Sequence, residues 1–476
     1  MRVLFTTFAA RSHLYAQIPL AWALRAAGHE VCVATHPDGV EHVRSAGLTA
    51  IPVGDPLNQK ARLEELDERQ DEAGRVNPEA PEALDYVELT DIGALEPGTH
   101  GYEDVQTKLL AITMSVFQTY SDDRFLDDLV GFVGWWGPDL VVWDSLAFAG
   151  GVAAVVGGAA HCRLLFGLDL VGWVWGWYRG LGGGRGGVVD DPLVEWLGWC
   201  LGRFGVGLDE GDVGGWGELV VGQWSVDPVP GSLALPVGAG LVGSGSGVGS
   251  GLGSGVGVGV GVGGVRVPVR WVPFSGGGVV SGSFGGWPGG GRWRVLVTLG
   301  VSHRELLGGD RVGVGVVLAG LAGLDGWFRG CGWGGVEVVA TLSGGQVAGV
   351  VVPSNVGVVE FVPLDVVVPE CDVVVSHGGA GAFQAALVWG VPQVVVPDLL
   401  WDTARKGVRL QEVGAGVVVD PRGLDADGVR CAVGSVLLDG SYRVAAGRLR
   451  DEVLGAPAPA DVVPVLETLT YRHKPQ

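Results

Sequence analysis

Three short segments of this chain carry side chains able to do acid–base or anion chemistry. His13 stands where an apolar run, residues 2–8 (RVLFTTF), gives way to the helix pattern LYAQIPLAWALRAAG. The C-terminal end of a buried strand is where α/β sheets present groups to a ligand. The positive end of the helix dipole favours the neutral imidazole there, the form able to accept a proton. Asp144 ends a second apolar run, DLVVW. A carboxylate bonded to one imidazole nitrogen fixes the tautomer and stabilises the cation formed on proton uptake. Two plainer readings stand beside these: His13 as a polar loop residue, and Asp144 with Ser145 as a capping pair. Nothing local says whether the two side chains meet.

The third segment is SHGGAGAFQAALVWGVPQVVVPDLLWDTARKG, residues 376–407. Its pattern runs strand, glycine-rich turn, helix, strand, loop. Gly378, Gly379 and Gly381 let backbone approach an anion closely, and the helix that starts near Ala380 points free N–H groups at it. His377 can donate a further hydrogen bond, so a diphosphate could be held without lysine, arginine or metal. The plainer alternative is a turn that needs glycine for close packing alone. Asp402, beside Trp401, reads either as a carboxylate accepting two sugar hydroxyls or as the N-cap of the helix TARKG.

The elements that must position these groups alternate strand and helix. After residues 2–8 and their helix come a strand at 30–35, a helix at 38–46 and a third strand near 48–54. Residues 56–130 are polar and mostly helical by pattern, and a strand resumes at 139–143. A second series of apolar runs lies at 294–300, 336–343, 356–362, 371–379 and 391–397. Two such β-α-β series predict an α/β protein of two Rossmann-like, doubly wound parallel-sheet domains facing across a cleft. The expected boundaries are 1–275 for the first domain, 276–292 for a linker, 293–455 for the second domain and 456–476 for a C-terminal helix or tail.

Composition narrows the function. With 31 basic against 52 acidic residues the net charge is −21, which argues against nucleic acid or an anionic membrane as partner. The six cysteines are scattered, without metal-ligand or disulfide spacing, which fits a reducing cytoplasm. The N-terminus enters a strand pattern without a basic leader, so a soluble intracellular protein is expected. No G-x-G-x-x-G follows the first strand, against a nicotinamide dehydrogenase. Glycine is the anomaly, at 86 of 476 residues, concentrated between 131 and 360. Single-base changes to G convert Ala or Arg to Gly and Leu or Met to Val, the bias seen there. Helices broken by glycine, as in 308–335, are expected to be marginal, and the Gly/Ser/Val run 237–265 is assigned no structure.

At this point the chain resembles the GT-B glycosyltransferases, and in particular the bacterial deoxysugar transferases of macrolide, anthracycline and related polyketide antibiotics. The resemblance rests on SHLYAQIPLAWALRAAGHEV (12–31), GLTAIPVG (47–54), PDLVVWD (138–144), DPLVEWL (191–197), GQWSVDPVP (222–230), RWVPFSG (270–276), RVLVTLGVSHRE (294–305), NVGVVEFVPL (355–364) and HGGAGAFQAALVWGVPQ (377–393). These pieces fall in the family's order and span nearly the whole chain. The resemblance implies a dTDP-deoxysugar co-substrate held by the C-terminal domain, a polyketide aglycone in the N-terminal domain, inversion at the anomeric centre, and no cofactor or metal.

The resemblance also implies residue roles. His13 matches the general base and Asp144 its orienting acid. His377, Gly379 and Gly381 match the diphosphate site, and Gly300 and Ser302 the loop facing the donor phosphates. Val362 and Pro363 match the segment beside the nucleobase, and Asp402 the sugar-contacting acid. The resemblance further implies a cytochrome-like auxiliary activator protein that lacks haem chemistry; a homodimer is among the expected assemblies. Outside this reading stand a GT-B nucleotide-sugar epimerase and a non-catalytic assembly subunit.

Overall fold

The computed structural model describes residues 1–58, 86–182, 190–208, 213–235, 259–261, 264–276, 287, 292–299, 312–398 and 401–474. The first sheet contains β1 (Arg2–Thr6), β2 (Glu30–Thr35), β3 (Thr49–Pro52), β4 (Leu140–Asp144), β5 (Ala160–Leu164), β6 (Trp224–Asp227), β7 (Gly259–Gly261) and β8 (Gly264–Pro268). Its spatial order is β3-β2-β1-β4-β5-β6-β8-β7, parallel throughout except for the edge pair β7–β8. The second sheet contains β9 (Trp293–Thr298), β10 (Val336–Thr341), β11 (Val356–Val359), β12 (Val373–Ser376), β13 (Gln393–Val395) and β14 (Gly416–Val418). It is parallel, in the order β11-β10-β9-β12-β13-β14. Both orders reverse direction once, between β1 and β4 and between β9 and β12. Crevices at such reversals are where doubly wound sheets bind ligands.

The apolar runs form central strands because both faces of each sheet are covered. In β1, Leu4 feeds the core on one face while Val3 and Phe5 feed the other. In β9, Leu296 and its neighbours Val295 and Val297 divide in the same way. The helices that matter below are α1 (Arg11–Ala26), α2 (Ala149–Gly157), α3 (Leu170–Gly182), α4 (Ala380–Trp389), α5 (Thr403–Glu412) and α6 (Pro459–His473).

Three features go beyond the sequence reading. Of the run assigned no structure, residues 259–261 form a strand and residues 264–265 begin β8, which pairs in parallel with β6. The glycine-broken segment before residue 335 forms a 17-residue helix, Val314–Gly330, despite Gly315, Gly320, Gly323 and Gly326. Its buried Val317, Leu318, Leu321, Leu324 and Phe328 pack beneath the second sheet, and that burial outweighs the weak propensity. Lastly, the C-terminal helix expected within 456–476 forms as α6 and packs on the first domain. Val462, Leu466 and Leu469 join the core around Leu14, Ile18 and Leu24 of α1, and Lys474 Nζ meets Asp139 at 2.5 Å.

Candidate active site

The parallel register of β1 with β4 sets Thr6 beside Trp143. It therefore delivers the residues just beyond, His13 on the first turn of α1 and Asp144 at the strand end, to one rim. His13 Nδ1 lies 2.8 Å from Asp144 Oδ2. Thr7 Oγ1 donates to the same oxygen at 3.3 Å, and Leu146 N donates to Asp144 Oδ1 at 2.9 Å. The carboxylate is buried and fully engaged, so its orientation is set before any ligand arrives. With Nδ1 turned to the acid, Nε2 carries the lone pair and makes no hydrogen bond among the described residues. The histidine is buried and not a solvated loop residue, while the aspartate meets the imidazole through Oδ2 and the local Leu146 amide through Oδ1.

In the second domain, β12 leads directly into His377. Gly378 follows with φ +87°, where a Cβ would also stand 3.0 Å from the Thr403 carbonyl. At Gly379 a Cβ would come within 2.5 Å of His377 Nε2, so the imidazole lies over bare backbone. Packing thus accounts for those two glycines. A Cβ on Gly381 would meet nothing within 4 Å, so packing does not account for that one. Helix α4 begins at Ala380 with no side-chain cap, which leaves its first-turn amides available to an anion.

His377 Nε2 stands 3.8 Å from Asp398 Oδ2, a carboxylate just beyond β13 that sequence reasoning passed over. Thr403 Oγ1 donates to its other oxygen at 2.9 Å. Asp402 occupies the N-cap position of α5 but makes no side-chain capping bond. Its Oδ2 accepts from Leu168 N of the first domain at 2.8 Å, and its Oδ1 pairs with the buried Lys406 Nζ at 2.9 Å. Arg405 donates to the Gly93 and Leu95 carbonyls, and its guanidinium lies 5.0 Å over the Trp173 ring. Helix α5 therefore ties the domains together at the crevice.

Val362 is buried with Leu296, Val339 and Val374, and Pro363 opens the short helix Leu364–Val367 beside it. Gly300 and Ser302 lie outside the described residues. Among the aromatics of the first domain, Phe117 and Trp175 are core, the latter donating to Asp191 at 2.8 Å. Tyr120 stacks on Phe8, whose ring faces His13. One turn beyond His13, Gln17 is 1% exposed, with neither amide atom hydrogen-bonded among the described residues. Its signal in the sequence was a polar side chain four residues after the histidine, on the apolar face of α1.

The two rims share one crevice. His13 packs on Phe166, Phe166 faces Trp401, and Thr403, two residues on, touches both Asp398 and Gly378 beside His377. Burial raises the Asp91 carboxyl to about 6, against the pull of Lys108, and does the same at Asp227 against Arg266. Among the described residues no cluster of His, Cys, Asp and Glu is arranged to hold a metal. Among them, too, no helix is long and apolar enough to cross a membrane.

Comparison with known proteins agrees with this architecture. Residues 22–244 match the N-terminal domain, and residues 334–469 the C-terminal domain, of the erythromycin biosynthesis protein CIII-like family. Aclacinomycin-T 2-deoxy-L-fucose transferase of Streptomyces galilaeus is 41% identical across 100% of this chain and 97% of its own length. Tylactone mycaminosyltransferase of Streptomyces fradiae is 40% identical, over 100% and 93%. Among solved structures, the glycosyltransferase VinC in complex with dTDP superposes with a TM-score of 0.77 at 32% identity, covering 99% of this chain and 100% of that one. Spinosyn forosaminyltransferase SpnP gives 0.70 at 34%, over 99% of each. With a histidine–aspartate pair on one rim and a glycine-cradled histidine on the other, this chain belongs to the erythromycin CIII-like family of macrolide and anthracycline deoxysugar glycosyltransferases, with the GT-B fold.

Proposed function

We propose that the protein transfers a deoxysugar from a dTDP-sugar to a hydroxyl of a polyketide aglycone, with inversion at the anomeric centre and without a metal ion. The observation that carries this reading is the 2.8 Å His13–Asp144 contact, which leaves Nε2 as the proton acceptor at a crevice shared with His377. Nε2 takes the acceptor's hydroxyl proton as that oxygen attacks the anomeric carbon opposite the nucleotide. The bond to the diphosphate breaks and its electron pair leaves on dTDP. Positive charge on the ring rises in the transition state, while the α4 amides and His377 offset the charge growing on the leaving group. Asp402 keeps a role toward the sugar in this scheme, since a carboxylate oxygen bonded once by protein can accept a second donor.

Relatives named for deoxysugar transfer to macrolide and anthracycline scaffolds support both substrate classes, and the dTDP complex of VinC supports the nucleotide. A cytochrome-like auxiliary partner belongs to the same proposal; full turnover by the isolated chain would remove it. The direct test combines a thermal-shift series with product stereochemistry. At a hundred times its Kd a ligand specific for the folded state adds about 2.7 kcal/mol. dTDP should raise the unfolding temperature more than UDP does. Turnover should persist in EDTA, and the glycoside should show inverted anomeric configuration. A retained configuration would overturn the mechanism.

A further inference from the structure

A row of rings crosses the molecule through the candidate base. Tyr120 stacks on Phe8 with centroids 3.9 Å apart and planes 2° apart, and Phe8 lies 4.4 Å from the His13 ring. On the other side His13 lies 4.1 Å from Phe166, and Phe166 lies 6.0 Å from Trp401 of the second domain. The two phenylalanines close on the imidazole at tilts of 48° and 54°. With Nδ1 tied to Asp144, the imidazole is restrained by three neighbours, the carboxylate and the two phenylalanine rings.

Phe166 sits on a short loop anchored at both ends. The buried Arg163 donates to both Asp169 oxygens, at 2.9 and 2.6 Å, and Asp169 accepts from Gly172 N at 2.9 Å. Between them, Leu168 N donates to Asp402. At Gly167 a Cβ would come within 2.1 Å of Asp402 Oδ2, so a side chain there would push the carboxylate off the Leu168 amide. Trp401 has φ +55°, a left-handed conformation that non-glycine residues seldom adopt. Strain of this kind persists where the surroundings demand it, and it clusters at ligand clamps and switches. The Trp401 indole stands 6.0 Å from the Phe166 ring.

We propose that Phe166 is a positioning residue, holding the His13 imidazole in line with Asp144 and, through Trp401, coupling that alignment to the loop that carries Asp402. The proposal rests on His13 being the base. Its test compares Phe166→Leu, which keeps apolar volume but loses the ring, with Phe166→Tyr, which keeps the ring. Phe166→Leu should lower kcat on the order of 10–100-fold, because small misplacements of a reacting group are costly. It should also displace the acidic limb of the kcat–pH profile, and dTDP affinity should stay within about twofold. Phe166→Tyr should recover most of the lost kcat. In the double variant with Trp401→Leu, the loss should match the larger single loss and not the product of the two.

An unchanged kcat in Phe166→Leu would overturn the proposal. So would a joint fall in kcat and dTDP affinity that tyrosine does not rescue, the mark of a purely structural residue. Multiplying losses in the double variant would overturn the coupling to Trp401. A His13→Ala variant with full turnover would instead remove the base, and the proposal with it; an inactive His13→Ala beside a normal Phe166→Leu would remove the positioning alone.

Discussion

Both crevice rims carry a histidine and an aspartate at neighbouring strands, and they differ in how closely each pair is drawn together. Six strands of the first sheet follow the order of the second, but the first pair stands at β1 and β4 and the second follows β12 and β13, one strand further along. In the first domain the pair is closed, at 2.8 Å, and the acid is pinned by Thr7 and Leu146 N. In the second, His377 and Asp398 stand 3.8 Å apart and the imidazole lies over Gly379. A third histidine sharpens the contrast. His161, on β5, is buried, accepts from Trp143 Nε1 at 3.3 Å, and is pushed down to about 3 by burial and then by His473. Burial without a carboxylate makes an imidazole inert. In the proposed mechanism the imidazole with a close carboxylate and one free edge serves as the base, and the one with a looser carboxylate beside a helix N-terminus faces the anion.

The largest expected break in this comparison is His13→Ala. It should lose about 10²–10⁴-fold in kcat with dTDP affinity unchanged, whereas His377→Ala should weaken dTDP in a calorimetric titration. Next comes Asp144→Asn, which keeps the shape but lets the wrong tautomer form; steady-state kinetics should show a loss of about 10²-fold or more. Asp398→Ala should be milder, weakening dTDP binding by about 3–10-fold, the weight of one modest polar contact.

His161→Gln should leave kcat near pH 7.5 unchanged and alter only stability against pH. The native value near 3 lies below the ordinary 6.5. Its contribution is therefore fully present above 6.5 and is lost as pH falls toward 3. Denaturant midpoints across that window should decline less steeply in the variant. The smallest effects lie away from both rims. At Gly131 and Gly326, helical positions where a Cβ would meet nothing, alanine should add about 0.5–1 kcal/mol each. At Gly150 of α2 a Cβ would press within 2.4 Å of Thr6 and Trp143, and alanine there should destabilise.

Much of the fold was legible because buried parallel strands are written as unbroken apolar runs, and RVLFT, LVVWD and VVVS are such runs. β5 was not, since AHCRL carries two polar side chains whose burial makes sense only once Trp143 and Asp169 are found beside them. The helix Val314–Gly330 reads as marginal from its glycines for a related reason. Its propensity is local and poor, while its stability comes from a sheet it cannot announce. Asp402 was read as either sugar ligand or cap; its partner across the domains, Leu168 N, belongs to a glycine-rich stretch with no motif.

What the sequence determined unaided was local chemistry: a histidine at a strand-to-helix turn, a glycine-lined helix start, and acids at the ends of apolar runs. What the tertiary structure alone decided was which of these groups touch. His13 and Asp144 are 131 residues apart, and Leu168 and Asp402 are 234 apart. Contacts over such spans follow from strand register and from the docking of one domain on the other. Those are properties of many weak packing interactions acting together, and no short run of residues encodes them.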